Sequence, residues 1–383
     1  MRRLFLLVCA VVLVDTAFYA AIVPVLPHYS EELDLSKSAA GILTASYAAG
    51  TLVGAIPAGW LASRVGVKPI LILGLLLMSA TSVIFGLGSN IVVLDVTRFI
   101  QGLAGACSWA AGMAWLVGMA PPERRGELIG SGLSAAIVGV LLGPVIGGLA
   151  TEIGDVPVFS AVALVGVALA AWAATMPGVP PAEEASMLSA VAALRRPPVA
   201  AGFWLFILPA LFAGVIEVLA PLRLDDLGAS GVAIGAVFLA AAAGEAVISP
   251  LSGRISDRRG RLAPIRLGLI GAVITAILLP LPDDALLMAA AVMAVVFALG
   301  VFWAPAMAML SEASEDAGVD QGLAFGLANL AWAGGHVIGG AAGASVADAF
   351  GDAVPYAIMA VACGLTLVFV QRYRGAARVA TQT

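Results

Sequence analysis

Charge is scarce in this chain. Of 383 residues, 11% are charged and 61% are hydrophobic, where a soluble domain carries about 25% charged residues. Too few polar side chains remain to clothe a water-facing exterior, which excludes the ordinary soluble class and points to a polytopic membrane protein. Cysteine is nearly absent. Cys9, Cys107 and Cys363 are odd in number, sit in apolar stretches and lack metal-type spacing. They read as small core residues, and neither a metal site nor a disulfide framework is expected. There is no Walker loop, Rossmann glycine pattern, zinc spacing or nucleophile elbow, so the sequence supports neither an enzyme nor a bound cofactor. The basic residues occur as short flanks of apolar runs, which excludes a nucleic-acid partner. No N-x-S/T sequon occurs.

Apolar runs fill the rest. About 20 residues cross a bilayer as a helix. Polar breaks mark spans at 4–27, 39–62, 69–88, 91–117, 127–150, 156–176, 199–222, 231–253, 264–281, 285–309, 322–347 and 353–371. The first resembles a signal peptide at its start, yet the run continues to Pro27 and contains an acid, so it is kept as a span. Twelve spans in two groups of six predict an N-terminal bundle over 1–176, a cytoplasmic linker at 177–198 with one short surface helix, and a C-terminal bundle over 199–383. Sixteen of the nineteen basic residues fall at the N-terminus or in alternate connections. By the positive-inside rule that face is cytoplasmic, and both termini lie there.

The halves echo each other. GTLVGAIPAGWLASRVGVKP from Gly50 aligns with GEAVISPLSGRISDRRGRLA from Gly244, and GVLLGPVIGG from Gly139 aligns with GHVIGGAAGA from Gly335. Parallel repeats of this kind frame a central cavity that rocking of the halves exposes to each side in turn.

Asp15 lies inside the first span, where a charge costs at least ~2.5–3.5 kcal/mol on insertion scales. It can lower that cost by taking a proton or by pairing with a cation. A carboxylate alternating between the two is a proton–cation exchanger; a fixed pair with Arg98 is the bland alternative. Arg98 itself reads either as a local partner of Asp95 or as reaching the backbone or acid of the first span. Glu217 lies before Pro221 and serves either substrate or a rim pair with Arg223. Glu245 sits mid-span among alanines, where the argument for Asp15 applies again. Asn329, Trp332 and His336 follow at i, i+3 and i+7, one face of a helix, suited to hold an amine by hydrogen bonds and cation–π contact. His336 reads as proton relay or as a packed residue. Tyr19 and Tyr47 add to the same box. Gly143, Pro144 and Gly147 give the fifth span a smooth, kinked face, a candidate conformational element.

Several motifs resemble the major facilitator superfamily over nearly the whole chain. GWLASRVGVK (Gly59 to Lys68) and GRISDRRGR (Gly253 to Arg261) are similar to its loop motif, with Arg64, Asp257 and Arg258 at the positions implied to gate. LDVTRFIQGLAG (Leu94 to Gly105) resembles its arginine motif, which implies a proton-coupling role for Arg98. GVLLGPVIGG resembles the motif of proton-coupled antiporters in the drug-exporting branch. Asp15 followed by IVPVLP, Glu217 in VIEVLAP, and CSWAAGM (Cys107 to Met113) are similar to the vesicular amine transporters. Their acid in the eleventh span is replaced by Asn329, and their long glycosylated loop is missing.

These resemblances imply an all-α, twelve-span transporter that exports organic cations, amines and amphiphilic drugs by proton antiport. Asp15, Glu217, Glu245 and Arg98 would couple the proton. It would be a monomer in the plasma membrane, with no cofactor beyond the proton gradient. The alternative is a proton-coupled importer of a sugar or organic anion on the same fold.

Overall fold

The computed structural model describes residues 2–119, 125–178, 192–319 and 321–380. Most of the predicted linker at 177–198, with its surface helix, lies outside the described residues. Among the described residues there is no strand. The helices are α1 (Arg2–Ala20), α2 (Ile22–Glu32), α3 (Lys37–Val65), α4 (Val67–Gly86), α5 (Ile91–Gly118), α6 (Arg125–Ile153) and α7 (Asp155–Ala174). There follow α8 (Pro197–Asp226), α9 (Gly231–Arg259), α10 (Leu262–Leu278), α11 (Ala285–Asp316), α12 (Gln321–Val337), a π-turn (Ile338–Ala342), α13 (Gly343–Phe350) and α14 (Ala353–Ala380). Among the described residues ten helical runs are long and apolar enough to cross a membrane, and Leu262–Leu278 is a shorter apolar helix. The eleventh predicted span is α12, the π-turn and α13 in succession.

Helix ends follow from local chemistry. The Ser36 hydroxyl accepts from the Ala39 N–H at 3.2 Å to start α3. The Asp284 carboxylate accepts from the Leu286 and Leu287 N–H groups at 2.9 Å to start α11. Both satisfy donors that a helix N-terminus leaves orphaned. Gly66 closes α3 at φ +103° and Gly260 follows α9 at φ +86°, a backbone that L side chains rarely adopt. They occupy the same place in the repeated turn, so the sequence echo is also a conformational one.

The chain divides into two compact units, Met1–Met187 with Ala229–Leu239, and Leu188–Gly228 with Ala240–Thr383. In the first, α1 packs on α6 and α5, α3 on α5, and α4 on α5 and α7. In the second, α8 packs on α12 and α11, and α10 on α11 and α14. Two sets of partners recur: α1 on α6 and α5 as α8 on α12 and α11, and α4 on α5 and α7 as α10 on α11 and α14. Leu4, Leu7, Val8, Val11 and Val12 of α1 join Leu71 and Leu75 of α4 and Trp115 of α5 in a buried core. On α10, Ile265, Leu269, Ala272 and Ala276 are buried while Leu267, Ile270, Ile274 and Ile277 are exposed. A helix apolar on both faces suits a core on one side and lipid on the other.

Backbones meet where side chains are missing. A Cβ on Gly102 would sit 1.9 Å from the Tyr47 carbonyl oxygen, and one on Gly50 would sit 1.9 Å from that of Phe99. The α3–α5 seam therefore joins bare backbones, as small residues permit in membranes. Gly364 of α14 has nothing within 4 Å of that position. We expect Gly102→Ala to lower the midpoint of thermal unfolding in detergent by the equivalent of about 1–3 kcal/mol, the usual cost of overpacking, and Gly364→Ala to leave it unchanged. Equal midpoints would contradict the packing described.

Candidate functional site

Pro24 shapes the first constellation. Proline lacks an N–H and its ring collides with the carbonyl four residues back. The helix breaks at Ala21, between α1 and α2. A helix end leaves carbonyls in need of donors. Arg98 of α5, 1% exposed, supplies them: its Nη1 donates to the Phe18 carbonyl at 3.4 Å and its Nη2 to the Tyr19 carbonyl at 3.2 Å. Nη1 also donates to Gln101 Oε1 at 3.4 Å. Of the two readings of Arg98, the structure draws it to the first span, while Asp95 Oδ1 is buried without a hydrogen-bond partner.

Asp15 is buried, 5% exposed, nearly two turns before this break. The Tyr47 hydroxyl of α3 donates to Asp15 Oδ1 at 3.0 Å. Tyr47 also lies under the Arg98 guanidinium, 5.0 Å from ring centre to Cζ, and against Tyr19, ring centres 5.1 Å apart. Asp15 and Arg98 are near enough for their charges to interact. The space for this cluster is the missing side chain of Gly105, where a Cβ would fall 2.5 Å from the Tyr47 hydroxyl and 2.7 Å from Asp15 Oδ1. Sequence reasoning assigned Asp15, Tyr19, Tyr47 and Arg98 and missed Gln101, Gly102 and Gly105. All three missed residues stand inside the LDVTRFIQGLAG stretch, which was read as a motif and not as space.

Gly143 and Gly147 of α6 face the same break. Their Cβ positions fall 2.4 Å from Ala20 Cβ and 2.1 Å from the Ala21 carbonyl oxygen. Pro144 stands between them inside the helix, buried. Thr16, beside Asp15, donates to the Ala136 carbonyl of α6 at 3.1 Å. The first span is thus held between α5 and α6 at the turns that carry Asp15.

The second constellation lies in the second unit. Gly214 of α8 lets α12 approach, its Cβ position 2.9 Å from the His336 carbonyl oxygen. One turn on, Glu217 faces His336, Oε1 to Nε2 3.6 Å, with side chains 21% and 5% exposed. His336 Nδ1 lies 2.9 Å from the Trp332 carbonyl oxygen, and the two rings are 4.6 Å apart. Glu245 of α9 is half-buried against Gly300 of α11 and interacts electrostatically with Glu217. Arg223, the alternative partner proposed for Glu217, donates to the Pro282 carbonyl at 3.1 Å. Asn329 is exposed, and within the i, i+3, i+7 stripe the ring contact joins Trp332 to His336.

Of the three residues that the resemblance implies to gate, two are exposed. Arg64 is exposed, its guanidinium 4.6 Å from the Trp60 ring centre, and Arg258 is exposed. The side chain of Asp257 lies outside the described residues. Beyond the repeated turn, Arg261 pairs with Glu312 of α11 at 2.5 Å, and in the first half Lys68 donates to the Ala174 and Met176 carbonyls at 2.7 and 2.6 Å, at the end of α7. Neither tie was read from sequence. Among the described residues no cluster of three histidine, cysteine or acidic side chains could hold a metal.

Removing the Arg98 guanidinium would strip donors from two buried carbonyls. Arg98→Met is expected to lose about 1.5–3 kcal/mol, the scale of a charged hydrogen bond, read as a lower unfolding midpoint in detergent. Arg98→Lys should recover part of it. A variant as stable as wild type would remove Arg98 from the role of splint.

Multidrug resistance protein 2 of Bacillus subtilis (strain 168) is 30% identical over 167 residues, 43% of this chain and 42% of that protein. Quinolone resistance protein NorA of Staphylococcus aureus (strain Mu50 / ATCC 700699) is 30% identical over 132 residues, 34% of each. The matched region thus spans less than half the length of either relative. The crystal structure of a D-xylose-proton symporter superposes with a TM-score of 0.75 at 18% identity, covering 95% of this chain and 96% of that one. At that identity the likeness concerns the fold alone. The profile of the Major Facilitator Superfamily matches residues 7–222 and 210–382, and this chain belongs to that superfamily of transporters.

Proposed function

We propose that this transporter is a proton-coupled antiporter that exports organic cations, amines and amphiphilic drugs among them, by alternating access. The observation that carries the reading is Asp15, a carboxylate buried inside the first apolar span with a hydrogen bond from Tyr47. A neutral donor does not discharge it. A proton or a cation does, and the two exclude each other at one oxygen, which is the condition for exchange. Tyr19 and Tyr47 offer ring faces beside it for a quaternary or amine cation. The multidrug and quinolone resistance proteins it resembles bear names of the same kind.

An importer of sugars or anions is the second reading. An anion carrier would offer a cationic side chain to its cargo. Arg98, the basic residue placed mid-span by sequence, instead donates to the carbonyls of α1. The likeness of Asp15, Glu217 and the CSWAAGM run to vesicular amine transporters favours amines within the cation class. On this reading the chain works as a monomer in the plasma membrane with both termini cytoplasmic. It needs no cofactor, because the proton gradient drives the cycle.

Proteoliposomes with an imposed pH gradient test this. Wild type should move tetraphenylphosphonium, ethidium or a monoamine against protons. Asp15→Asn should slow exchange by on the order of tenfold or more, since a coupling proton has lost its site. Tyr47→Phe should lie between. Exchange by Asp15→Asn at the wild-type rate would end the role given to Asp15, and movement of neutral sugars or anions alone would favour the importer.

A further inference from the structure

The carboxylate and imidazole of the second unit impose a condition that the Asp15 site does not. His336 Nδ1 lies 2.9 Å from the carbonyl oxygen of Trp332, one helical turn back. A carbonyl oxygen only accepts, so Nδ1 must carry a hydrogen. In a neutral imidazole the other nitrogen is then a bare lone pair. That nitrogen, Nε2, faces Glu217 Oε1 at 3.6 Å. A bare lone pair and an ionised carboxylate would repel each other in a site where His336 is 5% exposed. One proton between them removes the conflict, whether it sits on nitrogen as an imidazolium or on oxygen as a carboxylic acid.

We propose that Glu217 and His336 together hold one proton, and release it when an organic cation takes the carboxylate. The charge balances. Before, the pair with its proton is neutral; after, the carboxylate and the bound cation are neutral, the imidazole is neutral, and one proton has left for the aqueous side. The Trp332 carbonyl keeps the tautomer fixed throughout, so the emptied Nε2 stands ready to take the proton back.

The surroundings suit this use. Gly214, three residues before Glu217 and on its face of α8, lets the two backbones meet at His336. The π-turn Ile338–Ala342 begins two residues after His336, and π-turns inside helices recur at functional sites. Ionisable side chains face or flank the pair's helix from several elements: Arg223, Asp225 and Asp226 lie toward the end of α8 itself, Asp348 on α13 and Tyr356 on α14. Glu245 of α9 senses the charge of Glu217. On α11 the acids are Glu312, Glu315 and Asp316, all in its last turns, with Glu312 tied to Arg261. Along α12, His336 is the one ionisable side chain.

The identity of the displacing ligand rests on the organic-cation reading above; the shared proton does not. Two measurements separate them. Solid-state 15N spectra of histidine-labelled protein in lipid contain two rings, His28 and His336, since the chain has two histidines, and His336→Gln assigns them. We expect His336 to carry a hydrogen on Nδ1 near neutral pH. A neutral ring with its hydrogen on Nε2 would overturn the proposal, because that tautomer satisfies the carboxylate with no extra proton.

The second measurement counts protons released by purified protein in weak buffer per tetraphenylphosphonium bound. His336→Gln and Glu217→Gln should each release one proton fewer than wild type for every cation bound, whatever the affinity. Equal counts would overturn the proposal. If wild type does not bind tetraphenylphosphonium or any amine, the export reading falls, and the tautomer alone decides the pair.

Discussion

The hydrogen bond from Tyr47 to Asp15 depends on an absence. The hydroxyl and the carboxylate meet in the volume that a side chain at position 105 would occupy. Tyr47 reaches that volume because α3 and α5 touch backbone to backbone at Gly50 and Gly102. Hydrocarbon gives helices little hydrophobic reason to associate, so close van der Waals approach must do that work. The same glycines therefore serve assembly and chemistry at once. A methyl group at position 105 would not merely crowd the seam; it would push apart the acid and its only neutral donor seen here.

Arg98 resolves a second difficulty created by the same span. A buried cation beside a buried acid suggests a salt bridge, and such a bridge would leave Asp15 nothing to exchange. The guanidinium instead donates to the carbonyls of Phe18 and Tyr19, where Pro24 interrupts the helix. Breaks in membrane helices are tolerated where other groups satisfy the freed backbone. The cation splints the break and lends its field to Asp15 without enclosing it. Gly143 and Gly147 meet the same break from α6. Helix interruption, buried arginine and smooth glycine face are three parts of one local arrangement, though the sequence scatters them over more than a hundred positions.

The succession of apolar helices was legible because spanning length and polar breaks are one-dimensional signals, and the ends of the described helices fall within a few residues of most expected bounds. The paired turns at Gly66 and Gly260 were legible as a repeated motif, and their positive φ explains why glycine stands there. Asp15 and Glu217 announced themselves as acids in apolar runs. What stayed hidden depends on which faces meet. Gly105 and Gly214 look like any other glycine of the 44 in the chain until a partner helix is laid against them. The break at Ala21 and the π-turn at Ile338–Ala342 leave no composition signal of their own. Asn329 was grouped with His336 by spacing alone, yet spacing cannot say where the π-turn and neighbouring helices leave a side chain exposed.

The repeat itself separates scaffold from chemistry. The two units share much of the order in which their helices pack, and glycines line the α1–α6 and α8–α12 seams alike. The ionisable groups are not repeated. At the repeat's offset, Tyr47 corresponds to Ala241 and Arg98 to Val292, both buried and apolar. Asp15 corresponds to the neighbourhood of Ala210, and His336 to that of Val140. Duplication thus accounts for the helices and the bare seams, and it cannot account for an Asp–Tyr–Arg cluster in one unit and a Glu–His–Trp cluster in the other. A chain under selection for packing alone would have kept those positions apolar, as their counterparts are, because burying an acid in either unit costs stability that packing does not require.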